Sequence, residues 1–204
     1  MPCSFEQELL LQARGIWPIA GIDEAGRGPL AGPVVAAAVV LPVDFFLPGL
    51  DDSKKLAPRK RASLFEILTS NPAIVWAVAS CESGEIDRLN ILRATHQAMR
   101  QAFLSLSVSP PHALIDGLPV RDFPCAQTAL VGGDAISLSI AAASVIAKVT
   151  RDRLMDDLDR QFPEYGFSKH KGYPTPEHLA RLRQHGPTPI HRRSFAPVAQ
   201  ACLR

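Results

Sequence analysis

The chain has 204 residues and a mass of 22.1 kDa, enough for one domain, or one domain with a small appendage, whose core needs no disulfide staples. At 47% hydrophobic and 21% charged residues it is neither a disordered nor a coiled-coil chain. The net charge of +2 is unevenly spread: residues 1–147 hold 11 Lys and Arg against 14 Asp and Glu, while 148–204 hold 11 against 6, together with four of the six histidines. That asymmetry suits a polyanionic partner and equally suits solvated helix faces.

The longest apolar run, Leu30 to Val43, is 14 residues with proline and glycine inside it. A membrane span needs about 20, so the run is expected to be a buried strand. Met1 to Gly15 reads as a short amphipathic segment carrying Glu6 and Glu8, not as an export signal. Cys3, Cys81, Cys125 and Cys202 have no metal-ligand spacing, and reduced thiols in a soluble cytoplasmic protein are the expectation.

In chain order, Ile16–Ile22 and Pro33–Leu41 are apolar strands joined by the glycine-rich loop DEAGRGPLAG. The spacing predicts a helix over Pro58–Ser70, a strand over Ile74–Cys81 and a helix over Ile91–Leu106 that Pro110 and Pro111 stop. Short strands follow at Ala113–Ile115, ending in Asp116-Gly117, and at Ala126–Val131, ending in Gly132-Gly133-Asp134. A long helix runs from about Ala135 to Phe162, its first half apolar and its second half charged. The expected class is α/β, a mixed five-stranded sheet flanked by helices whose opening strand pair is antiparallel. Residues 1–162 are expected to form the main domain and 163–204 a small basic helical appendage, with one visible helix at Pro176–Gln184.

Four acids stand where strands stop: Asp23 and Glu24, Asp116, and Asp134. Each has an ordinary explanation alone, as a turn residue or a helix cap. Together, at neighbouring strand ends, they form a cluster that a hard divalent cation would stabilise, since gathered carboxylates otherwise repel. Such an all-oxygen set is what two-metal phosphodiester chemistry needs, with ions about 3.5–4 Å apart. Consecutive strand residues face opposite ways, so Asp23 and Glu24 are expected to share a site through a strand end or bulge.

Gly21-Ile22-Asp23-Glu24-Ala25-Gly26-Arg27-Gly28-Pro29-Leu30-Ala31-Gly32-Pro33-Val34 closely resembles the first motif of bacterial ribonuclease HII. Asp52-Ser53-Lys54-Lys55-Leu56, Ile115-Asp116-Gly117, Gly133-Asp134, the segment Ser139–Asp152 and His170-Lys171-Gly172-Tyr173-Pro174-Thr175 resemble its later motifs in order. The resemblance implies a ribonuclease H-like fold with a C-terminal helical appendage. It implies a metal-dependent endonuclease that cuts the RNA strand of RNA–DNA hybrids and nicks duplex DNA on the 5′ side of an embedded ribonucleotide, leaving 3′-hydroxyl and 5′-phosphate ends. By the same resemblance Asp23, Glu24, Asp116 and Asp134 bind Mn²⁺ or Mg²⁺ and carry catalysis. Gly26, Arg27 and Gly28 sense the ribonucleotide, and Tyr173 packs on the sugar or base beside it. Ser53, Lys54, Lys55, Lys148 and Lys171 are expected at phosphates, giving affinity without sequence preference. A monomer with no membrane association is implied, whereas ribonuclease HIII carries an extra domain ahead of a similar catalytic one. His96, His112, His178 and His185 show no ligand spacing and are expected to be structural or surface residues; Thr150, Arg151 and Asp152 are expected to support the long helix. The segment His191-Arg192-Arg193-Ser194-Phe195 matches the family's ending without an assigned role.

Overall fold

A computed structural model describes residues 3–43 and 45–203; Met1, Pro2, Asp44 and Arg204, parts of the predicted amino-terminal segment and appendage among them, lie outside the described residues. Apolar, β-branched segments form strands β1 (Ile19–Ala25), β2 (Val34–Val40), β3 (Val75–Cys81), β4 (His112–Asp116) and β5 (Ala126–Leu130). The helices are α1 (Glu6–Gln12), α2 (Pro58–Ser70), α3 (Ser83–Leu89), α4 (Ile91–Leu104), α5 (Leu138–Gln161), α6 (Phe167–His170), α7 (Pro176–His185) and α8 (Ala196–Ala201). A single 3-10 turn, Gly133–Ala135, precedes α5, so the long helix starts three residues later than its apolar pattern suggests. The pattern did not reveal α3, α6 or α8, which are short. Among the described residues no helix is long and apolar enough to cross a membrane.

The sheet has strand order β3-β2-β1-β4-β5, with β1–β2 and β2–β3 antiparallel and β1–β4 and β4–β5 parallel. The mixed five-stranded sheet is thus as expected. One face is covered by α4, whose Ala94, Ala98, Met99, Ala102 and Phe103 pack on Ile22, Val34, Ala36 and Ala38. The other carries α5 and α2, where Ala141, Ala142, Val145 and Ile146 meet Ala37, Val39, Leu64 and Leu68. The alanine-rich start of α5 lets helix and sheet approach closely. At Gly21 on β1 a Cβ would lie 2.1 Å from the Ser139 carbonyl carbon.

The acidic amino-terminal segment forms α1, but Glu8 is not on a solvated face. It is fully buried, and its Oε1 accepts from the Ser137 hydroxyl at 2.6 Å and the Ser139 N–H at 2.9 Å. A carboxylate from 129 residues away therefore serves the amino end of α5, where unpaired N–H groups favour negative charge. Glu8→Ala leaves both donors buried and unpaired and is expected to cost about 2 kcal/mol in urea unfolding. A loss below about 0.5 kcal/mol would mean that water replaces the carboxylate.

The second half of α5 and the residues beyond it lie against the loop joining β1 and β2. Met155, Tyr165 and Phe167 close over Ala31, and Leu182 and Val198 over Leu30.

Candidate active site

β1 pairs with β4 only from Ile19 to Ile22, while its pairing with β2 continues to Ala25. Asp23 and Glu24 are therefore inside the strand, with no bulge, which corrects the expectation that the strand must end or bulge there. The β4 side of β1 is unpaired from Asp23 onward, where β4 itself is finishing at Asp116. Around this open edge one carboxylate oxygen each from Asp23, Glu24 and Asp116 lie within 4.8 Å of one another. Asp23 Oδ1 accepts the Glu24 N–H at 2.7 Å and Asp116 Oδ1 accepts the Gly133 N–H at 2.7 Å, which fixes two of the three groups.

Asp134 stands beside this trio. Its Oδ2 accepts from Lys54 Nζ at 2.9 Å, and burial, then the charge of Asp134, raises the pKa of Asp116. Burial alone would lower the pKa of the Lys54 ammonium; the hydrogen bond and charge of Asp134, with Asp23 and Asp52, raise it instead.

The trio itself is only partly compensated by Arg27 and Lys54. Burial, then the charges of Glu24 and Asp116, push the Asp23 carboxyl well above its usual range, against hydrogen bonds from Ser144 and the Glu24 N–H. Burial also raises Glu24, which Arg27 partly offsets through a 3.3 Å contact between Nη1 and Oε1. Three crowded carboxylates, two held by backbone N–H groups and one by Arg27, with no His or Cys among them, form a donor set that fits a hard divalent cation.

A cleft of about 230 Å³ opens on these acids. Its walls hold Gly26, Arg27, Gly28, Ser53, Lys54, Lys148 and Tyr173 with Asp23, Glu24 and Asp116, so most predicted site residues meet there. Asp134, Lys55 and Lys171 are not in its walls. Lys55 pairs with Asp51 at 3.2 Å and Lys171 with Asp156. Lys148, in the wall, pairs with Asp152 at 2.6 Å. Ser144 is an addition: buried in α5, it hydrogen-bonds the Ser53 hydroxyl at 2.8 Å and serves Asp23. A serine inside the apolar half of a helix was the available signal.

The glycine loop is built for close approach. Gly26 has φ +96°, and a Cβ there would meet the Arg151 side chain and the Pro33 carbonyl; at Gly28 a Cβ would meet only Tyr173 Cε1, at 3.6 Å. Arg151 does more than support its helix. Fully buried, it donates to the carbonyls of Pro33 (2.9 Å), Lys171 (3.0 Å) and Ala31 (3.2 Å), tying the loop to the Tyr173 segment.

Tyr173 is itself held from behind. The Thr188 N–H donates to His191 Nδ1, so His191 carries its proton on Nε2 and donates to His178 Nε2 at 3.0 Å. His178 then donates from Nδ1 to the Tyr173 carbonyl at 2.9 Å. Burial lowers the pKa of both imidazoles, that of His191 to about 3, and keeps this chain neutral. All four cysteines are unpaired thiols.

A profile of the ribonuclease HII family matches residues 20–198. The chain is similar to ribonuclease HII of Geobacillus thermodenitrificans, 59% identical over 97% of this chain and 74% of that protein. It is similar also to that of Desulfitobacterium hafniense, 57% identical over 95% and 74%. Among solved structures, ribonuclease H2 from Pyrococcus horikoshii superposes with a TM-score of 0.75 at 29% identity, over 90% of this chain and 96% of that one. A match of this order over nearly the whole of this chain leaves one assignment: the chain belongs to the ribonuclease HII family, divalent-metal endoribonucleases that act on RNA–DNA hybrids.

Proposed function

We propose that the chain, besides cutting the RNA strand of hybrids, nicks duplex DNA on the 5′ side of an embedded ribonucleotide and leaves 3′-hydroxyl and 5′-phosphate ends. The supporting observation is that carboxylates from two strands share one cleft with the Gly26–Gly28 loop and Tyr173. In this reading Asp23, Glu24, Asp116 and Asp134 hold Mg²⁺ or Mn²⁺. When bound, a pair of such ions supplies water activation and stabilises the departing 3′ oxygen. Lys54, largely exposed beyond its pairing with Asp134, is placed to exchange that carboxylate for a substrate phosphate. Ser53 and Lys148 face the same strand, with Lys55 and Lys171 further along it. The backbone of Gly26–Gly28 and the ring of Tyr173 clasp the ribose in the wide minor groove, where a 2′-hydroxyl is within reach. Residues 163–204 form an appendage on the body of residues 1–162 and help to enclose the duplex; the same reading has the protein working as a monomer in the cytoplasm.

The test is a DNA duplex with one ribonucleotide, incubated with Mg²⁺ or Mn²⁺ and separately with chelator, its products mapped to the nucleotide. A metal-dependent nick 5′ of the ribonucleotide is expected; cleavage of continuous RNA–DNA hybrid alone would refute the sensor. Gly28→Ala sharpens this. Its methyl touches only the Tyr173 ring and leaves the fold intact, yet it enters the space between loop and ring. Nicking is expected to fall about 10- to 100-fold with no change in melting temperature, and an unchanged rate would remove Gly28 from the substrate contact.

A further inference from the structure

The segment His191-Arg192-Arg193-Ser194-Phe195 has no role in the reading above, yet it holds a fully buried arginine. Arg192 has no carboxylate partner among the described residues. Its five guanidinium N–H groups all go to main-chain carbonyls of one loop. Nη2 donates to Gly26 at 2.6 Å and Gly32 at 2.9 Å, Nη1 to Arg27 at 2.9 Å and Pro29 at 2.8 Å, and Nε to Gly32 at 3.0 Å. The Arg192 N–H adds the Leu30 carbonyl at 2.8 Å. Burial, and then the nearby Arg151 guanidinium, work against this charge. A buried cation without a counter-ion is costly, and a loop needing mere support would be served by an apolar side chain. The planar five-donor fork does what neither lysine nor a hydrophobe can: it sets the direction of several peptide planes at once.

That direction has a consequence. In a planar trans peptide the carbonyl of one residue and the N–H of the next point opposite ways. With the Gly26 and Arg27 carbonyls drawn onto Arg192, the N–H groups of Arg27 and Gly28 turn away from it. Neither has a main-chain acceptor among the described residues, and both residues line the carboxylate cleft.

We propose that Arg192 is a positioning residue for substrate selection: by holding the Gly26 and Arg27 carbonyls, it presents the Arg27 and Gly28 N–H groups to the ribose hydroxyl of the substrate. The proposal rests on the reading that this loop senses the ribonucleotide. The rest of the motif keeps Arg192 in place. Asp87 on α3 accepts the N–H groups of Arg193 (2.9 Å) and Ser194 (2.8 Å) and the Ser194 hydroxyl (2.6 Å), and the Phe195 ring lies 5.2 Å from the guanidinium. His191 is fixed by Thr188 and His178.

The test compares binding of two duplexes of one sequence, all-DNA and with a single ribonucleotide, in Ca²⁺ so that binding is read without turnover. Wild type is expected to prefer the ribonucleotide. Arg192→Lys keeps the charge but not the fork, and is expected to reduce the preference about tenfold while affinity for all-DNA duplex stays unchanged. A preference that Gly28→Ala removes but Arg192→Lys retains overturns the proposal alone. Absence of any preference in wild type overturns the sensor reading and the proposal with it. An equal loss on both duplexes marks Arg192 as merely structural. Should Arg192→Lys not fold, Asp87→Ala, altered at the surface, loosens the same segment; its preference is expected to fall, and an undiminished one overturns the proposal.

Discussion

Asp23→Asn is expected to raise the melting temperature of the metal-free protein while abolishing turnover. Asp23 is 2% exposed, and burial, Glu24 and Asp116 all disfavour its charge. Each tenfold displacement of its proton affinity corresponds to about 1.4 kcal/mol that the ionised side chain costs the fold. Asparagine has the same shape, and its carbonyl can still accept the Glu24 N–H that Asp23 Oδ1 accepts at 2.7 Å. The neutral side chain therefore keeps the geometry and relieves the repulsion, a gain of about 2–4 °C for each kcal/mol in a chain of this size. Turnover should fall at least about 10³-fold if, as proposed, Asp23 is a ligand to the charge-stabilising centre. Thermal shift with Mg²⁺ or Mn²⁺ added alone gives the complementary readout. The ions should stabilise wild type by relieving the same repulsion and should do much less for Asp23→Asn. A variant that melts lower than wild type, or still turns over, would remove Asp23 from the strained cluster.

The largest loss of stability is expected from Gly21→Ala, a change of one methyl group. Gly21 sits where α5 crosses β1. Its new Cβ would lie 2.1 Å from the Ser139 carbonyl carbon, 2.4 Å from that oxygen and 2.5 Å from the Ile140 nitrogen. These are backbone atoms at the amino end of a 24-residue helix, so no flexible side chain can swing aside. Helix and sheet must separate, opening the packing of Ala141, Ala142 and Val145 on β2 and drawing Ser137 and Ser139 from the Glu8 carboxylate. A cost of about 4 kcal/mol or more follows, or roughly 8–16 °C in melting temperature. The same movement shifts Ser144 on α5 relative to Asp23 on β1, so residual activity should fall further than the folded fraction. A cost below about 1 kcal/mol would show that α5 can slide on the sheet without losing its contacts.

What was legible beforehand was local. Alternating or continuous apolar runs placed all five strands to within a few residues, and the turn residues around Gly26, Gly117 and Gly132 marked where acids would stand. Those signals live within about ten residues and depend on burial period and backbone conformation, which the order of residues states directly. The ribonuclease HII resemblance was likewise carried by runs of neighbouring residues.

Pairings across the chain were not legible. Asp23 and Glu24 meet without a bulge because β4 stops pairing at Ile115 and leaves the strand edge open, a matter of register between segments about 90 residues apart. That Lys54 also binds Asp134, 80 residues on, could not be read from its neighbours in the chain. Glu8 reads only as one acid of a short amphipathic segment and is buried under α5. Arg192 reads as one more cation in a basic tail, and only the packing of that tail on the β1–β2 loop makes it the anchor of six carbonyl contacts. By itself the sequence determined the five strands and the longer helices, the acids near the ends of three strands and the family to which they point. The tertiary structure decided which charges are buried and against what, because burial and partner are properties of distance in space, and a residue type carries no record of the segment that will fold over it.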